Sequence, residues 1–186
     1  MEVLPTIRLD KAGEPFSVRS YTRDDRAALE AFYEAFHPKR AAQGMPPEGA
    51  RRVERWLDII LPRGKQLIAE RGAILIGHSM LMPTREPDVV EYAIYVHQHF
   101  RGRGVGTEMN RAAVELARAA GLARVWLSVE PGNRAAVRSY EKVGFRFLPG
   151  AILSLEAEMV IDLHTLPDPH ATGAKLAEAA PHRLET

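Results

Sequence analysis

Apolar positions along the chain recur first at helical and then at strand spacing. In "TRDDRAALEAFYEAF", Leu29, Phe32 and Phe36 fall three and four residues apart. That spacing predicts a helix with Thr22 as its cap and Asp24 and Asp25 in its first turn. A second helix follows, with Val53, Trp56, Leu57 and Ile60 on one face and Pro62 after its end. Between the two, "HPKRAAQGMPPEG" (37–49) holds three prolines and two glycines and reads as a loop.

From residue 66 the period changes to two. "FSVRSY" (16–21) is already strand-like; "QLIAERGAILIGHSMLM" predicts a hairpin turning at Arg71-Gly72, and "VVEYAIYV" (89–96) a further strand. After a glycine-rich loop, Val105, Met109, Ala113, Leu116 and Ala120 form one helical stripe that Gly121 stops. "RVWLSV" (124–129) predicts a strand, "NRAAVRSYEKVG" (133–144) a helix, and "AILSLEAEMVIDL" (151–163) a last strand. Helices come first, then mixed β and α, without a repeat, so one layered α/β domain is expected over residues 16–163. Residues 1–15, polar with Pro5, Gly13 and Pro15, read as a loose N-terminal arm. The C-terminal tail 164–186 is rich in Pro, Ala and charge and receives no assigned structure.

Composition narrows the function classes. A length of 186 residues suits one domain with a sizeable core. Lys and Arg number 25 against 24 Asp and Glu, a net charge of +1, which argues against a dedicated binder of nucleic acid or membrane surface. There is no cysteine, which removes disulfides, thiolate nucleophiles and Cys-type zinc sites. No apolar run reaches about 18 residues and Met1 opens no signal-peptide pattern, so a cytoplasmic location is the expectation.

The chemistry concentrates in "VHQHFRGRGVGTEMNRAAVELARAAG" (96–121), where a strand ends, Gly102, Gly104 and Gly106 follow, and a helix begins at once. Free N–H groups and the dipole at a helix N-terminus favour an anion, and Arg101 and Arg103 add charge beside it. The P-loop pattern G-x-x-x-x-G-K-[ST] is excluded because no Lys occurs here. The dinucleotide pattern G-x-G-x-x-G fits Gly102 and Gly104 but places its third glycine on Thr107. Glu130 ends the next strand, as a ribose contact would require, yet too little chain follows for a second half, and NAD affinity is that reading's test. Read alone, the loop could be only a tight turn, Asn133 only a helix cap, and Tyr140, one turn from Val137, only core.

The spacing Arg101-x-x-Gly104-x-Gly106 after "IYV" resembles the acetyl-CoA pyrophosphate loop, Q/R-x-x-G-x-G/A, of the GNAT superfamily of N-acetyltransferases. A second segment, "VEPGNRAAVRSYEKVGFRF", is similar to that family's strand, Asn, helix, Tyr and Gly-Phe signature at the expected distance. The resemblance is strongest over 66–147 and extends back to Phe16. It implies a GNAT-like three-layer domain with a central, mostly antiparallel mixed sheet, splayed at the acetyl-CoA site. It also implies transfer of acetyl from acetyl-CoA to a primary amine by direct attack in a ternary complex, without metal. A CoA-binding sensor or assembly module that kept the cradle without catalysis is the alternative. Members are often dimers, so a homodimer is among the partners to expect.

Within that resemblance, Ile94, Tyr95 and Val96 would pair with the pantetheine arm, and an N–H near Val96 would serve the oxyanion. Arg101, Gly102, Arg103, Gly104, Val105, Gly106 and Thr107 would cradle the pyrophosphate. Asn133 would touch the cofactor arm, and Tyr140 would both contact it and protonate the departing sulfur. Glu91, five residues before Val96, would be the base. Ser128 occupies a second place where the family puts a glutamate and cannot act as one. His97 and His99 flank the loop without a convincing metal spacing and read as surface residues. Lys39, Arg40, Arg51, Arg52 and Arg55 would either suit an anionic acceptor or, as the simpler reading, solvate a helix face. The opening "VRSYTRDDRAALEAFYEAF" resembles bacterial protein-lysine acetyltransferase domains.

Overall fold

A computed structural model describes residues 3–38, 46–149 and 156–164. In chain order the elements are β1 (Thr6–Leu9), β2 (Pro15–Ser20), α1 (Arg26–Ala35), α2 (Ala50–Ile60), β3 (Lys65–Arg71), β4 (Ile74–Pro83) and β5 (Val89–Val96). They continue with α3 (Val105–Ala119), β6 (Arg124–Val129), α4 (Arg134–Glu141), β7 (Arg146–Phe147) and β8 (Ala157–Asp162).

Among the described residues the strands form one sheet in the order β1-β2-β3-β4-β5-β6-β8-β7. Every adjacent pair is antiparallel except β5 with β6. Strand alternation sends successive side chains to opposite faces. One face packs Val90 and Tyr92 against Val105, Met109 and Leu116 of α3 and Val137 and Tyr140 of α4. The other packs Ile68, Met80 and Tyr95 against Leu29, Phe32 and Tyr33 of α1 and Val53 and Leu57 of α2. The result is helix, sheet, helix, the three-layer mixed fold the sequence implied. None of the described helices is long and apolar enough to cross a membrane.

Several local expectations change. The arm is not loose over Thr6–Leu9, which pairs with β2 from Thr6↔Val18 to Leu9↔Pro15. Its apolar residues Ile7 and Leu9 are exposed, so no buried stripe announced the strand. A 3-10 turn (Arg23–Asp25) precedes α1, and Asp25 uses its carboxylate to take the Thr22 N–H at 2.7 Å. The α3 stripe buries Ala112 and Ala117 alongside Val105, Met109, Ala113 and Leu116, while Ala120 is exposed. The last strand is described from Ala157, the start predicted for it at 151–155 lies outside the described residues, and so does the tail beyond His164.

Candidate active site

The site begins where one ladder stops. β5 and β6 pair only at Val89↔Arg124, Val90↔Val125 and Glu91↔Trp126. Beyond Glu91, β5 stays with β4 as far as Val96↔Gly77, whereas β6 stays with β8 as far as Val129↔Ala157. The two strands part, and a cleft of about 1020 Å³ opens between them. That is the volume of a site for a large ligand. Its walls include Ile94, Tyr95, Val96, Gly102, Thr107 and Tyr140.

The unpaired edge of β5 faces this cleft. The His97 N–H donates to the Ile76 carbonyl at 2.9 Å, toward β4. One residue back, alternation turns the Val96 N–H and C=O the other way, toward the opening. The Val96 carbonyl takes the Arg101 Nε at 2.9 Å. The same guanidinium bonds the His37 carbonyl and lies 4.9 Å from the Phe36 ring centre. Arg101 thus braces the end of β5 against the end of α1, and it also lines the cleft.

The glycine loop runs into α3 with Gly104 as N-cap at φ +94°, a left-handed conformation that a side chain would strain. Gly106 has no such backbone demand. A Cβ placed on it would meet Val96 Cγ2 at 3.6 Å and Ile94 Cδ1 at 4.0 Å, ordinary contact distances. The missing side chain there leaves space at the mouth of the cleft between α3 and β5. The first N–H groups of α3 have no partner within the helix and crown that space. Val105 is fully buried in the core, so only its backbone faces the loop. The Arg103 side chain turns to Asp10, with Nε 2.8 Å from Oδ2.

On the opposite wall, Asn133 caps α4, its Oδ1 accepting from the Ala136 N–H at 3.2 Å, and the residue also lines the cleft. Tyr140 is buried, with its ring 5.8 Å from Phe145 and 6.5 Å from Tyr92, and burial pushes its phenol well above the ordinary tyrosine range. A chain of hydrogen bonds ties this wall to β5. The Tyr92 hydroxyl donates to Asn110 Oδ1 at 3.0 Å, and Asn110 Nδ2 donates to Ser139 Oγ at 2.8 Å. Asn110 is fully buried inside a stripe of otherwise apolar helix positions. That polar interruption in the stripe was the one sequence signal for it.

Glu91, Ala93 and Tyr95 share the face of β5 that looks toward α1, as alternation required. Glu91 reaches the cleft, and desolvation at the cleft wall raises its pKa above the ordinary carboxylate value. Across the gap, Trp126 and Ser128 line the same cleft. The sequence reading missed what stands beside Ser128. β8 brings Glu158 into register with it and Glu156 Oε2 to 3.4 Å from its hydroxyl, and both glutamates line the cleft. Those two positions lie about 30 residues downstream of Ser128, so only strand pairing reveals them.

Arg51, Arg52 and Arg55 are exposed on α2 and are not among the cleft residues, which favours the solvated-face reading. Lys39 and Arg40 lie outside the described residues. His97 and His99 pack their rings 5.2 Å apart, and His97 is only half-buried.

The sequence profile of the Acetyltransferase (GNAT) family matches residues 23–145, most of the described chain. The chain belongs to that family. Its members use acetyl-CoA as co-substrate. The mycothiol acetyltransferase of Thermobispora bispora is 34% identical over 131 residues, covering 66% of this chain and 43% of the relative. The chain spans less than half the length of the curated relatives of that name it matches. Among solved structures, the GNAT domain of S. lividans PAT superposes with a TM-score of 0.69 at 22% identity, covering 85% of this chain and 96% of that one. The structure of yncA from Salmonella typhimurium, which contains acetyl-CoA, gives 0.64 at 20% identity, covering 83% and 98%. At such identities the two superpositions establish the GNAT fold.

Proposed function

We propose that the chain transfers an acetyl group from acetyl-CoA to the nitrogen of an amine, with both substrates held together in the one cleft. The observation that carries this reading is the splay of β5 from β6 beyond Glu91 and Trp126, which sets an open strand edge, a helix N-terminus and four carboxylates, those of Glu91, Glu130, Glu156 and Glu158, around one continuous space. The residues present fit acetyl-CoA: Gly106 leaves room a Cβ would fill, and the free N–H groups of the first α3 turn suit a diphosphate. When bound there, acetyl-CoA supplies an activated thioester. Every other element of the reaction falls to the chain.

The Val96 N–H, aimed into the opening, is the donor for the developing oxyanion. An amine of pKa about 10.4 is, at pH 7, roughly 3.4 units or about 4.6 kcal/mol from its nucleophilic neutral form, so it needs a base. Glu91 is that base, with its affinity for a proton raised by the cleft wall. Tyr140 keeps its proton through neutral pH and delivers it to the departing thiolate. Glu156 and Glu158, with the face of Trp126, favour an acceptor that arrives as a cation. The sequence has no cysteine to carry an acetyl group in between, which supports direct attack.

The test combines calorimetric titration with acetyl-CoA and an assay of CoA release across a panel of amines. Binding plus turnover that Glu91→Gln abolishes, at unchanged acetyl-CoA affinity, supports the enzyme. Binding without turnover on any amine would favour a CoA-binding module instead. No binding of acetyl-CoA would overturn the reading altogether.

A further inference from the structure

We propose that Lys11, at the tip of the β1–β2 hairpin, is a cofactor-binding residue whose ammonium contacts a phosphate of acetyl-CoA; the inference rests on the acetyl-CoA reading of the cleft. The arginines of the glycine loop are engaged elsewhere. Arg101 is held by the Val96 and His37 carbonyls, and Arg103 by Asp10. Arg101 still lines the cleft, whereas the ion pair with Asp10 turns the Arg103 side chain out of the cradle.

The hairpin supplies a further cation beside the loop. The Lys11 N–H donates to the Arg103 carbonyl at 2.8 Å, and Lys11 Nζ donates to the Gly102 carbonyl at 2.9 Å. Its Cγ lies 3.5 Å from where a Cβ on Gly104 would stand, and the residue lines the cleft. An ammonium has three donors, and the Gly102 bond uses one. The other two sit at the edge of the cradle that the glycine loop forms.

The tip is built to stay there. The Asp10 side chain is buried, accepts the Ala12 N–H at 2.8 Å and the Glu14 N–H at 3.1 Å, and takes Arg71 at 2.7 Å and Arg103 at 2.8 Å on its other oxygen. Asp10 thus closes the turn and pins it to both β3 and the glycine loop. Its single charge is shared between those two arginines, and Lys11 is the cation the tip presents to the cleft.

The test is calorimetric titration of wild type, Lys11→Gln and Lys11→Arg with acetyl-CoA, 3′-dephospho-acetyl-CoA and acetyl-pantetheine. Glutamine can still donate to the Gly102 carbonyl but carries no charge, so it separates charge from loop positioning. The expected result is about tenfold weaker acetyl-CoA binding for Lys11→Gln, a shallower salt dependence, recovery in Lys11→Arg, and no change with acetyl-pantetheine. A loss shared by the dephospho analogue assigns the contact to the diphosphate; a loss confined to acetyl-CoA assigns it to the 3′-phosphate. Either supports the inference. Wild-type binding that Lys11→Gln leaves intact, or an equal loss with acetyl-pantetheine, would overturn it while the acetyl-CoA reading stands. A wild type that binds none of the three would overturn both.

Discussion

Glu91 and Trp126 are the last residues that β5 and β6 place opposite each other, and the cleft starts at their next step. The proposed base and an aromatic floor are therefore set at the closed end of the wedge by backbone pairing. Because desolvation there raises the pKa of Glu91, the sign of its pH effect is defined. The base works ionised, so kcat/KM should rise with pH through a midpoint above the ordinary carboxylate range. Glu91→Gln should remove that limb and lower kcat/KM by about 10² to 10⁴. A pH–rate profile of wild type and variant checks this; an unchanged limb in the variant would assign the base elsewhere, with Glu156 and Glu158 next in line.

Two glycines of the loop should behave differently. Gly104 needs its left-handed backbone, so Gly104→Ala should cost about 1 kcal/mol of stability, read as a lower urea midpoint. Gly106→Ala should fold as well as wild type or slightly better, because its Cβ meets Val96 and Ile94 only at contact distance and glycine is a poor helix former. Gly106→Leu should fold yet lose acetyl-CoA affinity by tenfold or more. A bulky Gly106 variant that binds acetyl-CoA normally would place the cofactor elsewhere.

Tyr140 separates packing from proton delivery. Its ring packs against Tyr92 and Phe145, contacts that phenylalanine would keep. Tyr140→Phe should therefore melt within a few degrees of wild type and bind acetyl-CoA normally, while kcat falls about a hundredfold. Single-turnover kinetics with acceptors of different reactivity would read the defect. An unaltered kcat would leave Tyr140 as core, the reading its position beside Val137 first offered.

Much of this was legible in sequence, for reasons specific to each element. β5 and β6 follow from short runs rich in β-branched and aromatic residues, and α2 and α3 from apolar spacing, because burial imposes those periods directly. The glycine loop is legible because backbone conformation restricts residue type at Gly104. β1 was not, since its apolar residues face outward and its role is to carry the tip that docks Lys11 some 90 residues away in sequence. Asp10, Glu156 and Glu158 were not legible either, because each acts through a partner that only strand pairing brings near. Sequence likewise shows charge at Arg101 and Arg103 but not the partners that orient it, the Val96 and His37 carbonyls and the Asp10 carboxylate.

The buried face under α1 and α2 sets the last prediction. Gln66 Nε2 donates to the Ile60 carbonyl at 3.0 Å, so its Oε1 can only accept, and His78 Nε2, 3.1 Å away, must carry the proton. His78 Nδ1 then accepts from the Tyr33 hydroxyl at 2.5 Å. The imidazole is neutral and fully buried, and desolvation holds its pKa at about 3. In the unfolded chain it returns to about 6.5. Below that value the unfolded state binds a proton the folded state refuses, so stability is full above about pH 6.5 and falls as pH drops toward 3. The slope reaches about 1.4 kcal/mol per pH unit for this one group. Asp25, which Arg19 holds down to about 2, adds its own loss only below about pH 5, so the interval from about 6.5 to 5 is free of that carboxylate. His78→Asn should lie below wild type in stability at neutral pH, because the network is broken, yet show a shallower slope across that interval. Urea midpoints measured at half-unit steps of pH read both quantities, and parallel curves for the two proteins would show that His78 is not buried in its neutral form.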